Sequence, residues 1–248
     1  KTGIEVLIAG EVRLDALETR LKEGRRVAEL ELKLLTSSRQ GESHESAWRL
    51  DVTLSSALAA GTAGRSVLGA TNGSQAEGWH PFVTRIPMGQ GDHRVRLAVQ
   101  SGGRVGSVTR DFVIPASTEE RLSTPILSDL LVAGPGERRV LPVARRSFDA
   151  SATLHCWIEL HGADGGIGGP RATLAFVARS ADGREWASGA PTAMSPGAAN
   201  LTRLISLPLS EAPSGENEVL LTVKDDIGGR TFHAREPFRV VNAAGTTP

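Results

Sequence analysis

"GDHRVRLAVQSGGRVGSVTRDFVI", residues 91–114, is the stretch whose pattern decides the fold. Val95, Leu97 and Val99 alternate with Arg94, Arg96, Ala98 and Gln100, the period of two that a strand shows when one face is buried. "SGGR" at 101–104 supplies the glycines of a tight reversal, and Val105, Val108, Phe112 and Ile114 carry a return strand up to Pro115. The spacing predicts a β-hairpin.

A second copy follows. Gly215, Val219 and Val223 each lie 124 residues after Gly91, Val95 and Val99, and Phe238 lies 126 after Phe112, so the second turn, "DDIGG", is two residues longer. Turns are where insertions are tolerated. Upstream, "VAELELKLL" (27–35) and "TLHCWIEL" (153–160) both alternate, 126 residues apart when Leu30 is set against Cys156. A repeat of this length is a whole domain rather than a solenoid unit. The expectation is a first domain over 1–117, a linker at 118–126 within the Pro-bounded stretch "PASTEERLSTP", and a second domain over 127–248 with a short C-terminal tail.

Each half shows short alternating runs separated by turn clusters such as "TSSRQGES", "HGADGGIGGP" and "APSGEN". Frequent turns and the absence of long helical periodicity predict an all-β chain of two tandem immunoglobulin-like β-sandwiches. One stretch departs from this: in "LDALETRLKEG", Leu14, Leu17 and Leu21 stand at helical spacing, which allows a short helix or an irregular crossover. In immunoglobulin-like sandwiches a Gly-x-Tyr opens the penultimate strand and the Tyr hydroxyl ties down a corner. This chain has no Tyr. His93 and Asn217 stand in the two Tyr positions, each able to donate one hydrogen bond to the corner backbone.

Composition excludes several partners. Lys plus Arg (28) equals Asp plus Glu (28), so no net field draws nucleic acid or an anionic membrane surface. The one cysteine, Cys156, makes neither an internal disulfide nor a cysteine metal cluster. No apolar run reaches the roughly 18–20 residues of a membrane span. The start at Lys1, without Met or a signal-peptide segment, leads us to expect a processed form or an excised fragment.

Chemistry is sparse. No G-x-S-x-G, HExxH or Walker loop is present, and "GADGGIGG" lacks the spacing of a dinucleotide fingerprint. On the predicted strand, His155, Trp157 and Glu159 share one face and Cys156, Ile158 and Leu160 the other, so no Cys-His dyad forms within it. Asp164, Asp225 and Asp226 read as turn formers rather than calcium ligands, lacking the regular spacing of a calcium loop. Arg138, Arg139, Arg145 and Arg146 read as a solvated, partly paired face. Trp48 alternates with Leu50, Val52 and Leu54 and reads as core, whereas Trp79 and Trp186, near turns, are the candidates for an exposed contact. No catalytic, cofactor-binding or metal-ligating residue is assigned, and no cofactor is expected.

The wording "RVRLAVQSGGRVGSVTRDFVIP", then "LSTPILSDLLVAG", then "RRSFDASATLHCWIELHGADGG", resembles the C-terminal part of von Willebrand factor A-related proteins of Acidobacteria and similar bacteria. "IEVLIAGEVRL" near the start resembles the first strand region after the A domain there. The D-x-S-x-S metal-ion-dependent adhesion site of that A domain is absent, so no metal site is carried over. What the resemblance implies is a pair of β-sandwich modules exported to the cell envelope. The family has Tyr or a similar aromatic where this chain has His93.

The expected function is therefore a non-catalytic structural or protein-interaction module of a bacterial cell-envelope or secreted protein, located in the periplasm, on the cell surface or outside the cell. Its partner is expected to be protein. Two rivals are a carbohydrate-binding accessory module and a two-domain periplasmic chaperone-like protein that holds a partner's strand on an unpaired edge.

Overall fold

The computed structural model describes residues 4–13, 17–23, 25–39, 41–54, 79–114, 121–133, 138–197 and 200–242. These residues group into two compact units, one ending by residue 117 and the other beginning at residue 118.

In the first unit, β1 (Ile4–Arg13), β2 (Arg20–Lys22), β3 (Arg25–Ser38), β4 (Ser43–Leu54), β5 (Trp79–Met88), β6 (Gly91–Ser101) and β7 (Arg104–Ile114) build two sheets. β1 pairs antiparallel with β5, and β3 joins β2, β4 and β6, with β7 following β6. The alternation in "VAELELKLL" sends Leu30, Leu32 and Leu34 of β3 inward, where they meet Val95 and Leu97 of β6 and Phe82, Ile86 and Met88 of β5 in one cluster. Side chains from both sheets share that cluster, as in a two-layer sandwich.

In the second unit the short strands β8 (Arg121–Leu122), β9 (Ile126–Ser128), β10 (Leu131–Ala133), β11 (Arg138–Val140) and β12 (Ser147–Asp149) precede β13 (Thr153–His161). A two-strand miniature hairpin, β14 (Gly165–Gly166) and β15 (Gly169–Pro170), leads to β16 (Ala172–Ser180) and β17 (Glu185–Ala193). Then come β18 (Ser195–Pro196), β19 (Asn200–Pro208), a 3-10 turn at Leu209–Glu211, β20 (Gly215–Asp225) and β21 (Thr231–Val241). One sheet runs β12-β21-β20-β16-β17, and the other joins β18, β19 and β13 with β8 and β9 on the far edge of β13. Leu154, Cys156, Ile158 and Leu160 of β13 face Leu174 of β16, Val219, Leu221 and Val223 of β20, and Phe238 and Val240 of β21 across one core. Both units are β-sandwiches, and the fold class is all-β.

The repeat is carried down to register. Gly91 lies opposite Ile114 and His93 opposite Phe112, as Gly215 lies opposite Val240 and Asn217 opposite Phe238. Gly91 and Gly215 take φ of 117° and 107°, a region that an L side chain rarely enters. In both units a phenylalanine ring also lies over a cross-strand glycine, Phe82 over Gly10 and Phe176 over Gly189, where an added Cβ would collide with the ring.

Two expectations are corrected. Residues 20–22 are strand, not helix, and Leu21 points to solvent; Leu14 lies outside the described residues. The second half of the expected linker belongs to the second sandwich. Arg121 and Leu122 pair with His161 and Leu160, Ile126 pairs with Trp157, and the Ser123 amide donates to the Glu159 carbonyl at 2.8 Å. The edge of β13 away from β19 otherwise leaves backbone groups unmatched, and this segment satisfies them.

Candidate functional site

The two corners come first because they hold the side chains that stand in for tyrosine. His93 is buried, and its Nε2 lies 2.8 Å from the Gly89 carbonyl oxygen; a carbonyl only accepts, so Nε2 carries the hydrogen. Its ring stacks on Phe112 with centroids 6.0 Å apart. Asn217 donates through Nδ2 to the carbonyls of Pro213 at 2.8 Å and Gly215 at 3.0 Å. Both residues reach back four positions, so one local geometry is spelled with two different side chains. Asn217→Ala is expected to cost the second unit about 1–3 kcal/mol in chemical denaturation, since two part-buried carbonyls lose the donor that a buried side chain supplies.

Along β13 the inward face is sealed. Burial pushes the Cys156 thiol up to about 12, so it is a core side chain and not a nucleophile. The outward face carries hydrogen-bonded polar groups. His155 Nδ1 lies 2.9 Å from Ser206 Oγ, and the Glu159 carboxylate accepts from Trp157 Nε1 at 2.9 Å and from Asn200 Nδ2 at 2.7 Å. His161 Nε2 lies 3.1 Å from the same carboxylate. Asn200 and Ser206 were not nominated by the sequence; they reach this face because β19 pairs His161 with Asn200 and His155 with Ser206.

Of the acidic turn residues, Asp225 holds its turn through its carboxylate. Asp225 is fully buried and accepts from the Ile227 amide at 2.8 Å, and the Asp164 amide lies 3.3 Å from its other oxygen. Among the described residues no three His, Cys, Asp or Glu side chains come together as a metal site. At the tip of the β14–β15 hairpin Ile167 stands fully in solvent.

The basic group is not one solvated face. Arg145 is enclosed, its side chain 14% exposed, with Nη2 2.5 Å from Asp129 Oδ1, itself 4% exposed. Its guanidinium also lies 5.8 Å from the centre of the Phe148 ring. Arg146 is exposed, 3.8 Å from Glu236. The side chains of Arg138 and Arg139 lie outside the description. A second ion-pair group sits on the sheet of β20, where Glu218 accepts from Arg179 Nε at 2.5 Å and from Arg235. Burial raises the pKa of Glu218, and the hydrogen bonds and charges of both guanidinium groups more than reverse it, leaving it below the usual carboxylate value. A depressed folded value gives stability that is present above the unfolded pKa and lost as pH falls through the folded one. Denaturation between neutral pH and about pH 3 is therefore expected to show an acid-sensitive increment that Glu218→Gln removes.

The tryptophans divide. Trp79 is 38% exposed, with Arg13 5.9 Å from its ring centre. Trp186, expected in the same role, is instead half-buried and packs edge-on against Phe238 at 6.5 Å, its Nε1 enclosed, because β17 turns that position toward the core. Trp48 packs on the first core. Between β16–β17 and β19 lies an open cleft of about 280 Å³ lined by Leu174, Phe176, Thr192, Arg203 and Ile205.

This geometry defines a pair of β-sandwiches of immunoglobulin-like kind. No family model matches the chain and no curated protein matches it. The fibronectin(III)-like modules of Clostridium thermocellum CbhA are similar over 100% of this chain and 90% of theirs, at 11% identity and TM-score 0.25. The native conformation of the E. coli alpha-2-macroglobulin is similar over 92% of this chain and 17% of its own, at 11% identity and TM-score 0.26.

Proposed function

We propose that the chain is a non-catalytic structural and protein-interaction module of a bacterial cell-envelope or secreted protein, working through the edges and loops of two tandem immunoglobulin-like sandwiches. One observation carries this reading: the side chains that chemistry would need are engaged in holding their own sandwich. His93 and Asn217 tie corners, His155 meets Ser206, Glu159 is shared by Trp157, Asn200 and His161, and Cys156 is core. The strand wording similar to von Willebrand factor A-related proteins supports the envelope or secreted setting. Cross-linking the protein in its native assembly and identifying the linked neighbours tests the reading. Protein neighbours joined to strand edges or loops are expected; retention on a polysaccharide with no protein neighbour overturns it.

A carbohydrate-binding role is the second reading, favoured by the exposed ring of Trp79 beside Arg13. Affinity electrophoresis through polysaccharide gels selects it if the chain is retarded and Trp79→Ala is not.

A further inference from the structure

The two sandwiches differ at one matched edge. In the second unit β12 covers the C-terminal end of the free side of β21 in parallel, with Ser147, Phe148 and Asp149 opposite Arg239, Val240 and Val241. The Arg239 amide donates to the Arg146 carbonyl at 2.7 Å, and the Ala150 amide to the Val241 carbonyl at 2.9 Å. Phe148 thereby sets its ring 6.3 Å from that of Phe238, and both are 1% exposed. In the first unit β7 is the counterpart of β21, register for register. Among the described residues β7 has β6 on one side and no strand on the other. Phe112, standing where Phe238 stands, is only half-buried, and Val105, Val108 and Val113 are 69%, 45% and 67% exposed.

We propose that the bare edge of β7 is a strand-acceptor site, taking an extended segment of a partner protein in parallel and laying a phenylalanine or similarly bulky apolar side chain against Phe112. This rests on the reading of the chain as an interaction module and names the edge and the partner's chemistry. The chemistry of the occupant is specified by the molecule itself, since β12 shows what the end of the matching edge accepts when it is filled.

Three features suit β7 to the task. Its pairing with β6 runs without a break from Gly91 opposite Ile114 to Ser101 opposite Arg104, whereas the edge strand β17 shifts register twice against β16. Bulges blunt an edge, and an unbroken one remains a template. By the matched registers, the backbone of Val113 points outward as that of Arg239 does, and the two-residue alternation adds Asp111 and Thr109. β12 meets only the last three residues of β21, and Pro115, 126 residues before Val241 in the sequence, has no N–H, so the added strand sits two residues back from the place of β12 and runs along 109–113, its apolar position beside Phe112. Backbone bonds then give affinity and the apolar position gives selectivity.

The test uses the full chain and a peptide with the sequence of residues 145–151, compared with the same peptide carrying alanine at its phenylalanine. Amide hydrogen exchange is expected to slow at Thr109, Asp111 and Val113, with the phenylalanine peptide binding about tenfold tighter than the alanine one. A spin label on the peptide N-terminus is expected to broaden Thr109 more than Val113, the parallel sense. Val113→Pro removes an outward N–H at an exposed position and is expected to weaken binding at least about tenfold while the amides of β3 and β6 keep their protection. Equal binding by the two peptides, protection appearing on β21 instead of β7, or a concentration-dependent β7–β7 dimer that the peptide does not dissolve would overturn the proposal. If cross-linking still finds protein neighbours in that case, the interaction-module reading stands and only the acceptor edge falls.

Discussion

Phe148→Ala is expected to lower the stability of the second sandwich by about 3–5 kcal/mol, the cost of emptying a phenylalanine site in a packed core. Its ring is 1% exposed, set edge-on to Phe238, and it belongs to a strand of only three residues. So short a strand is held by its one buried side chain more than by its ladder. Losing the ring should also release β12 from β21 and bare the edge that β12 covers. Urea denaturation reads the first effect, and faster exchange of the Arg239 amide reads the second. Phe148→Leu, which keeps most of the apolar contact, should lose well under half as much.

Asp129→Ala is expected to cost about 3 kcal/mol in the same unit, a large effect for a single carboxylate. Surface ion pairs contribute about 0–1 kcal/mol because water screens them, but here both partners are largely withdrawn from water. Removing the carboxylate leaves the Arg145 charge enclosed against Phe148 with its main counter-charge gone. Replacing both residues separates the causes. Asp129→Leu with Arg145→Met should recover most of the loss, since an apolar pair of similar volume suits an enclosed site. A double variant as unstable as the single one would show that the backbone around β9 and β12, not the charge, is at fault.

How much of this was legible in the sequence depends on how far each inference had to reach. Alternation is local, so the inward sets of β3, β6, β13 and β20 followed from "VAELELKLL", "VRLAV", "TLHCWIEL" and "VLLTV" alone. The corner residues His93 and Asn217 were found because a Gly two residues earlier and a Val two residues later fix their place on the strand. What depended on register was not legible. A strand residue changes face with a one-residue slip, and Trp186 beside a turn carries no local mark of which way β17 will turn it. Asn200 and Ser206 join His161 and His155 only through the β13–β19 ladder, some 40 to 50 residues apart. Arg145 looked like surface because charged residues crowd it in sequence, while its partner Asp129 lies beyond β10 and β11. Nor did the Pro-bounded polar run before β9 show that half of it would pair with β13.

The same contrast bears on function. The repeat was visible as two copies of a hairpin; the difference between the copies was not, because β12 is three residues long and carries no alternation to be read. Among the described residues one copy has the end of its last strand covered by β12, and the other has no strand there.

The central claim is that each sandwich stands on its own core, with the nominated polar side chains holding it together. Residue-resolved amide hydrogen exchange on the full chain and on Phe148→Ala tests this most directly. The account predicts faster exchange through β12, β13, β16, β20 and β21 with β3, β5 and β6 unchanged. Equal loss of protection in both sets would contradict it.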